Sequence, residues 1–188
     1  VVDLIRIDLM RLTLIDHAPR NDMIRNPMRL YLLRHGLAAP ALPGQPDEQR
    51  PLTAEGEDRI VRQAQVYRQM PFRIEQVLCS RYVRARQTAE RIAEVLGVPV
   101  YEDARIGPDM SLDDLAVVLS VHAGPWETLV VGHQPAWGQL IRHLTGANVE
   151  MQPGTLAIID VTTLRPGHGL LGCVLQPEMV TCFGTPGV

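Results

Sequence analysis

The chain reads as a single α/β domain, a three-layer sandwich with helices on both faces of a mostly parallel mixed sheet. Three observations predict it. Apolar runs of strand length recur at residues 30–33, 76–79, 98–101 and 128–131. Segments of helical length separate most of them, which requires crossover connections and therefore parallel strands. The 188 residues suit one hydrophobic core and leave little for a second.

Residues 1–28 stand outside this alternation. Residues 1–15 mix Leu and Ile with Arg and Asp, and have neither the sustained apolar core nor the small-residue cleavage site of a signal peptide. Residues 16–27 carry Asp, Asn, Arg and two prolines. The segment reads as an upstream extension with Met28 as a natural start; a short accessory helix or strand is the competing reading.

The domain then runs over residues 29–176. The run 30–33 is a buried strand. Residues 38–51, rich in proline and containing Gly44, form a loop long enough to be functional. Thr53 caps a helix running to about Met70, where Pro71 ends it. After the strand 76–79, a helix spans about 82–96 and is stopped by Gly97 and Pro99. A short strand follows at 98–101. Ser111 with Asp114 three residues on resembles a capping box, and Leu112, Leu115, Val118 and Leu119 form a helical stripe. Gly132 bounds the strand 128–131. Pro135 opens a helix through Leu144 that Gly146 closes. Residues 155–161 and 170–175 are two last strands, with Arg165-Pro166-Gly167-His168-Gly169 as a hairpin turn that makes one strand antiparallel. Residues 177–188 read as a loose C-terminal tail.

Composition narrows the class. The formal net charge of −3 argues against a general nucleic-acid binder. No stretch approaches the apolar length of a membrane span. Cys79, Cys173 and Cys182 are odd in number and far apart, with no Cys-x-x-Cys and no zinc spacing. They read as free thiols of a cytoplasmic protein, Cys79 as a small buried hydrophobe. There is no Walker-type loop, and no convincing carboxylate cluster for a metal.

The chemistry lies at strand ends. Arg34-His35-Gly36 follows the first strand, and the glycine allows a sharp turn there. Arginine grips phosphate oxygens with a planar fork and neutral histidine can attack phosphorus. Alone, the triplet reads equally as a surface Arg-His at a turn. Two further motifs occupy equivalent places. Ser80-Arg81-Tyr82-Val83-Arg84 leaves the second strand and puts Arg84 near the first turn of a helix, where free amides and the helix dipole favour an anion. Gly132-His133-Gln134-Pro135 leaves the strand 128–131 in the same way. If these strands are neighbours, Arg34, His35, Arg84 and His133 converge on one anion site at the carboxyl edge of the sheet.

The matching residues are Leu32-Leu33-Arg34-His35-Gly36, Pro51-Leu52-Thr53-Ala54-Glu55-Gly56, Ser80 with Arg84-Ala85-Arg86-Gln87-Thr88-Ala89, and Val130-Val131-Gly132-His133-Gln134-Pro135. On these four motifs, the chain from Arg29 to about Leu175 resembles the histidine phosphatase superfamily, the phosphoglycerate mutase-like or RHG family. Its compact length is most similar to the SixA-type phosphohistidine phosphatases. The resemblance implies the phosphoglycerate mutase-like fold and a metal-independent phosphatase without a cofactor. His35 would carry the phosphoryl group, kept neutral by the adjacent guanidinium charges, while Arg34, Arg84 and His133 hold the phosphoryl oxygens. Water would then release phosphate.

One family feature is missing. Many relatives place an acid glutamate in the loop after the third strand, about where this chain has Arg105. Glu102, Asp103 and Asp109 lie nearby in sequence as candidate proton donors. An alkoxide leaving group needs such a donor more than a phosphoramidate, whose nitrogen can carry its own proton. The pattern therefore favours protein phosphohistidine as substrate. A small-molecule phosphomonoesterase or mutase is the alternative enzyme, and a non-catalytic phospho-ligand binding module is the rival of another class. His17 and Arg86 read as solvated, Arg81 as solvated or an aid to substrate capture, His143 as surface or packing, His168 as an unremarkable turn residue, His122 as a complement to a helix dipole, and Trp126 and Trp137 as packing residues.

Overall fold

The computed structural model describes residues 28–122 and 127–183. Its strands are β1 (Met28–Arg34), β2 (Gln76–Cys79), β3 (Val100–Glu102), β4 (Glu127–Gly132), β5 (Leu156–Val161) and β6 (Gly169–Leu175). Its helices are α1 (Ala54–Gln69), α2 (Val83–Leu96), α3 (Leu112–Val121), α4 (Ala136–Thr145) and α5 (Pro177–Phe183). The strands form one sheet in the order β3-β2-β4-β1-β5-β6. β3, β2, β4 and β1 are mutually parallel, and β5 runs antiparallel to both β1 and β6. This is the expected mixed sheet with one reversed strand.

Alternation along β1 builds the two core layers. Tyr31 and Leu33 pack with Ile60, Ala85, Ile92 and Val180 on the face covered by α1, α2 and α5. Leu30 and Leu32 pack with Leu115, Trp137 and Leu140 on the face covered by α3 and α4. β1 is buried on both faces, which explains why its sequence is continuously apolar rather than alternating. Each such side chain contributes about 1.5–3 kcal/mol by leaving water.

The end signals act largely as expected. Thr53 accepts a hydrogen bond from the Gly56 amide, and Ser111 with Asp114 forms a reciprocal capping box. Gly97 and Gly146 close α2 and α4 in the left-handed conformation, with φ of 72° and 76°. Some boundaries move. The third strand starts at Val100 rather than residue 98, because Pro99 has no amide and contributes only its carbonyl, to Val77. Tyr82 and Pro135 lie just before α2 and α4 rather than inside them.

Two larger readings change or fall outside. The segment after residue 176 is not loose throughout: α5 packs beside α1, and Val180 is fully buried. It carries one short apolar face, too brief for periodicity to reveal. Of the N-terminal extension, residues 1–27, including His17, lie outside the described residues, as do Trp126 and residues 184–188. Met28 in β1 pairs with Val161 in β5, so the sheet includes Met28, which the boundary drawn at 29 had left out.

Candidate active site

The strand order makes β2, β4 and β1 adjacent and parallel, so their carboxyl ends share one edge. The ladder extends past them: His35 N–H donates to Gly132 O at 3.1 Å and Ser80 N–H to Val131 O at 3.1 Å. These bonds fix the residues leaving each strand. The four sequence-predicted residues are brought together. Arg84 Nε lies 3.1 Å from His35 Nε2, and the His35 and His133 rings are 5.2 Å apart. Arg34 is close enough that its charge acts on His35, Arg84 and His133.

Neighbouring residues hold this group. Thr88 Oγ1 accepts from Gly36 N–H at 3.0 Å and donates to Arg84 O at 2.7 Å, tying the turn after β1 to α2. Gln87 Oε1 accepts from Leu52 N–H at 2.8 Å and anchors the loop before α1. Arg34 Nη1 donates to Met151 O at 2.7 Å. Trp137 Nε1 donates to Leu33 O at 2.8 Å, and its ring fills the space under Gly132, where a Cβ would meet Cζ2 at 2.4 Å. Gly36 is not left-handed; its role is space, since a Cβ there would lie 2.8 Å from Ile60 Cγ1.

Hydrogen bonding defines the His35 tautomer. Nδ1 sits 2.8 Å from Gly36 O, a carbonyl that can only accept, so Nδ1 carries the proton. Nε2 then presents a lone pair, and Arg84 Nε–H donates to it. Burial pushes the His35 pKa down to about 3; Gly36 opposes this, while His133, Arg84 and Arg34 reinforce it. Removal from water thus outweighs the guanidinium charges invoked above as the reason for neutrality. The His133 pKa falls to about 4, again chiefly through burial, followed by Arg84.

His133 Nε2 lies 2.8 Å from Ser80 Oγ, which also accepts from Tyr82 N–H at 3.3 Å. The Tyr82 ring stands 4.6 Å from that of His133, with the Arg84 guanidinium 4.9 Å from its centroid. Among the described residues three buried side-chain polar atoms have no hydrogen-bond partner: Arg34 Nε, His133 Nδ1 and Gln63 Oε1. The first two belong to this group. Buried donors of this kind are costly unless something accepts from them.

Two of the three suggested proton donors, Asp103 and Glu102, are engaged with other side chains. Asp103 Oδ1 accepts from Arg105 N–H at 2.9 Å and pairs with Arg105 Nε at 3.2 Å, and its other oxygen faces His122 Nε2 at 3.5 Å. Glu102 lies 3.9 Å from Arg86 Nη1, and Asp109 lines a cavity with Gln139 and His143. Sequence reading missed Asp47. It sits in a short 3₁₀ turn, Asp47–Gln49, within the 38–51 loop. Arg84 Nη1 donates to Asp47 O at 2.6 Å and Nη2 to Asp47 Oδ2 at 2.7 Å. Its signal was the position in a long loop just ahead of the Pro51-Leu52-Thr53 stretch. Ser80 and Thr88 lie inside the motif after β2, but their residue types alone assign them no role.

Of the remaining residues, His143 and His168 are exposed, Arg86 is half-exposed beside Glu90, and Trp137 is a buried packing residue. His122 does end α3, but it also faces Asp103. Among the described residues no group of three or more His, Cys, Asp or Glu is placed to hold a metal ion, and no helix is long and apolar enough to cross a membrane.

Known proteins resemble this chain in sequence and fold. Residues 30–107 match the histidine phosphatase superfamily (branch 1). The phosphohistidine phosphatase SixA of Escherichia coli (strain K12) is 30% identical over 156 residues, covering 80% of this chain and 94% of that protein. A solved structure of the protein histidine phosphatase SixA complexed with tungstate superposes with a TM-score of 0.70 at 25% identity, covering 80% of this chain and 98% of that one. The alpha-ribazole phosphatase of Shigella flexneri shares the fold, with a TM-score of 0.61 at 20% identity over 80% of this chain and 97% of that chain. The chain belongs to the histidine phosphatase superfamily, as a phosphatase with a phosphoglycerate mutase-like fold.

Proposed function

We propose that the chain hydrolyses phosphohistidine in a protein through a covalent phosphoryl group on its own His35. The observation that carries this reading is the His35 tautomer: Gly36 O takes the Nδ1 proton, leaving the Nε2 lone pair beside the Arg84 guanidinium. A phosphoryl group entering there meets a neutral nucleophile and N–H donors at once. Arg84 turns its N–H groups from His35 and Asp47 to the phosphoryl oxygens. Arg34 Nε and His133 Nδ1, both without a protein partner, supply further donors. For His133 to donate from Nδ1, its Nε2 must accept from the Ser80 hydroxyl, which the 2.8 Å contact allows. The donors act most strongly as charge builds on the equatorial oxygens.

His35 Nε2 bonds to phosphorus as the substrate's P–N bond breaks, and water then attacks the phosphohistidine. Tungstate, a tetrahedral oxyanion, is bound by the SixA relative, in keeping with an oxyanion pocket here. The substrate reading rests on the engagement of Glu102 and Asp103 with Arg86, Arg105 and His122, since a phosphoramidate can leave with its own proton. Small phosphorylated molecules are the second reading, favoured by the fold shared with the alpha-ribazole phosphatase.

The test compares turnover on a phosphohistidine protein with turnover on a panel of phosphate esters. A preference for the phosphohistidine protein supports the first reading, and a preference for one ester supports the second. Binding of phosphate without turnover of any member, including p-nitrophenyl phosphate, would leave only a binding module.

A further inference from the structure

Among the described residues Asp47 supplies the one carboxylate bonded to any of the four candidate site residues. His35 and Arg84 are buried, whereas the Asp47 side chain is 54% exposed. Asp47 therefore stands on the solvent side of Arg84, with His35 beneath. In an in-line displacement the leaving group departs on the side opposite the nucleophile, toward that solvent side. Arg50 Nη1 holds the other Asp47 oxygen at 2.8 Å, and Arg50 Nε is fixed on Ala39 O at 2.9 Å. The carboxylate is thus aimed by two guanidinium groups rather than left on a free loop.

We propose that Asp47 is the proton donor to the leaving group, and that the site therefore also takes alkyl phosphate monoesters. The proposal rests on the His35 mechanism above. In the free protein the hydrogen bond from Arg84 holds the Asp47 carboxyl below the usual range. A bound phosphoryl group draws the Arg84 N–H groups away and sets negative charge beside the carboxylate, and both changes favour protonation. The proton arrives on the monoanion of the substrate and passes to Asp47. The bond from His35 Nε2 to phosphorus forms as the bond from phosphorus to the ester oxygen breaks. The electron pair of that bond stays on the oxygen, which takes the Asp47 proton and leaves as the alcohol. Water next attacks phosphorus and leaves its proton on an oxygen of the released phosphate, as the P–Nε2 bond breaks with its pair returned to His35; Asp47, again a carboxylate, takes its next proton from the next substrate monoanion.

The experiment is a leaving-group series on the full chain and on Asp47→Asn and Asp47→Glu. Asp47→Asn should lower turnover of an alkyl phosphate by about a hundredfold or more, and that of p-nitrophenyl phosphate and phosphohistidine by no more than about threefold. Inhibition by inorganic phosphate should persist in the variant, because Arg84 remains, and Asp47→Glu should restore part of the alkyl ester activity. Equal loss on every substrate would overturn the proposal and reduce Asp47 to a residue that aligns Arg84. Unchanged alkyl ester turnover in the variant, or none in the parent chain, would overturn it as well. Rapid quench of the parent chain keeps the two readings apart: no phosphate trapped on His35 would sink the His35 mechanism itself.

Discussion

His35 and Arg84 are in direct contact, yet their replacements should behave differently. His35→Ala removes the atom that attacks phosphorus, so turnover should fall at least about a thousandfold while inorganic phosphate still binds. Arg84→Ala removes donors that act on substrate and transition state alike, so phosphate binding should weaken and kcat/KM should fall by about 10²–10³. Phosphate inhibition constants beside steady-state rates separate the two. Loss of phosphate binding in His35→Ala would refute the division of labour. The depressed pKa values make a second prediction. An unfolded histidine binds its proton near pH 6.5, whereas in the fold His133 does so only at about 4 and His35 at about 3. Stability is therefore fully present above about pH 6.5 and declines as pH falls toward those folded values, by up to about 1.4 kcal/mol per pH unit for each ring. Urea midpoints between pH 7 and 4 measure the decline, and His35→Gln should make it shallower. A midpoint unchanged from pH 7 to 5 would show that both rings charge freely inside the fold.

Element identity was legible where two signals agreed. β1 announced itself by an unbroken apolar run, α1 by Thr53 and Pro71, and α3 by the Ser111–Asp114 box, because each signal acts through contacts a few residues away. The candidate site was legible for the same reason, since its motifs sit directly behind strands. What escaped depends on distant partners. Asp47 is set by Arg84, 37 residues on, and α5 exists because Val180 finds the α1 face of the core. Val180→Ala should accordingly lower unfolding stability by about 2 kcal/mol. Turnover should stay within about twofold at temperatures where the variant is folded, because none of the four candidate site residues lies on α5. A stability unchanged in urea titration would mean that α5 is not part of the cooperative unit.

Over the whole molecule, the six-stranded sheet is laid out from Met28 onward: Met28 already pairs with Val161 at the start of β1. A chain beginning at Met28 should therefore fold and keep its turnover. Insolubility of that chain beside a stable full-length one would show that the N-terminal segment contributes to the core.

The reversed strand carries a consequence for assembly. Because β5 runs against β1, the segment entering it, rather than one leaving it, arrives at the pocket. There Met151 O accepts from Arg34, and Gly154 N–H meets both Arg34 O and His35 O at 3.1 Å. The pocket thus joins residues 34 and 154 across most of the domain. During folding it can close only after the penultimate strand has docked, so local structure should form before any oxyanion can be held. Phosphate affinity, followed in time, would serve as a clock for the docking of that strand.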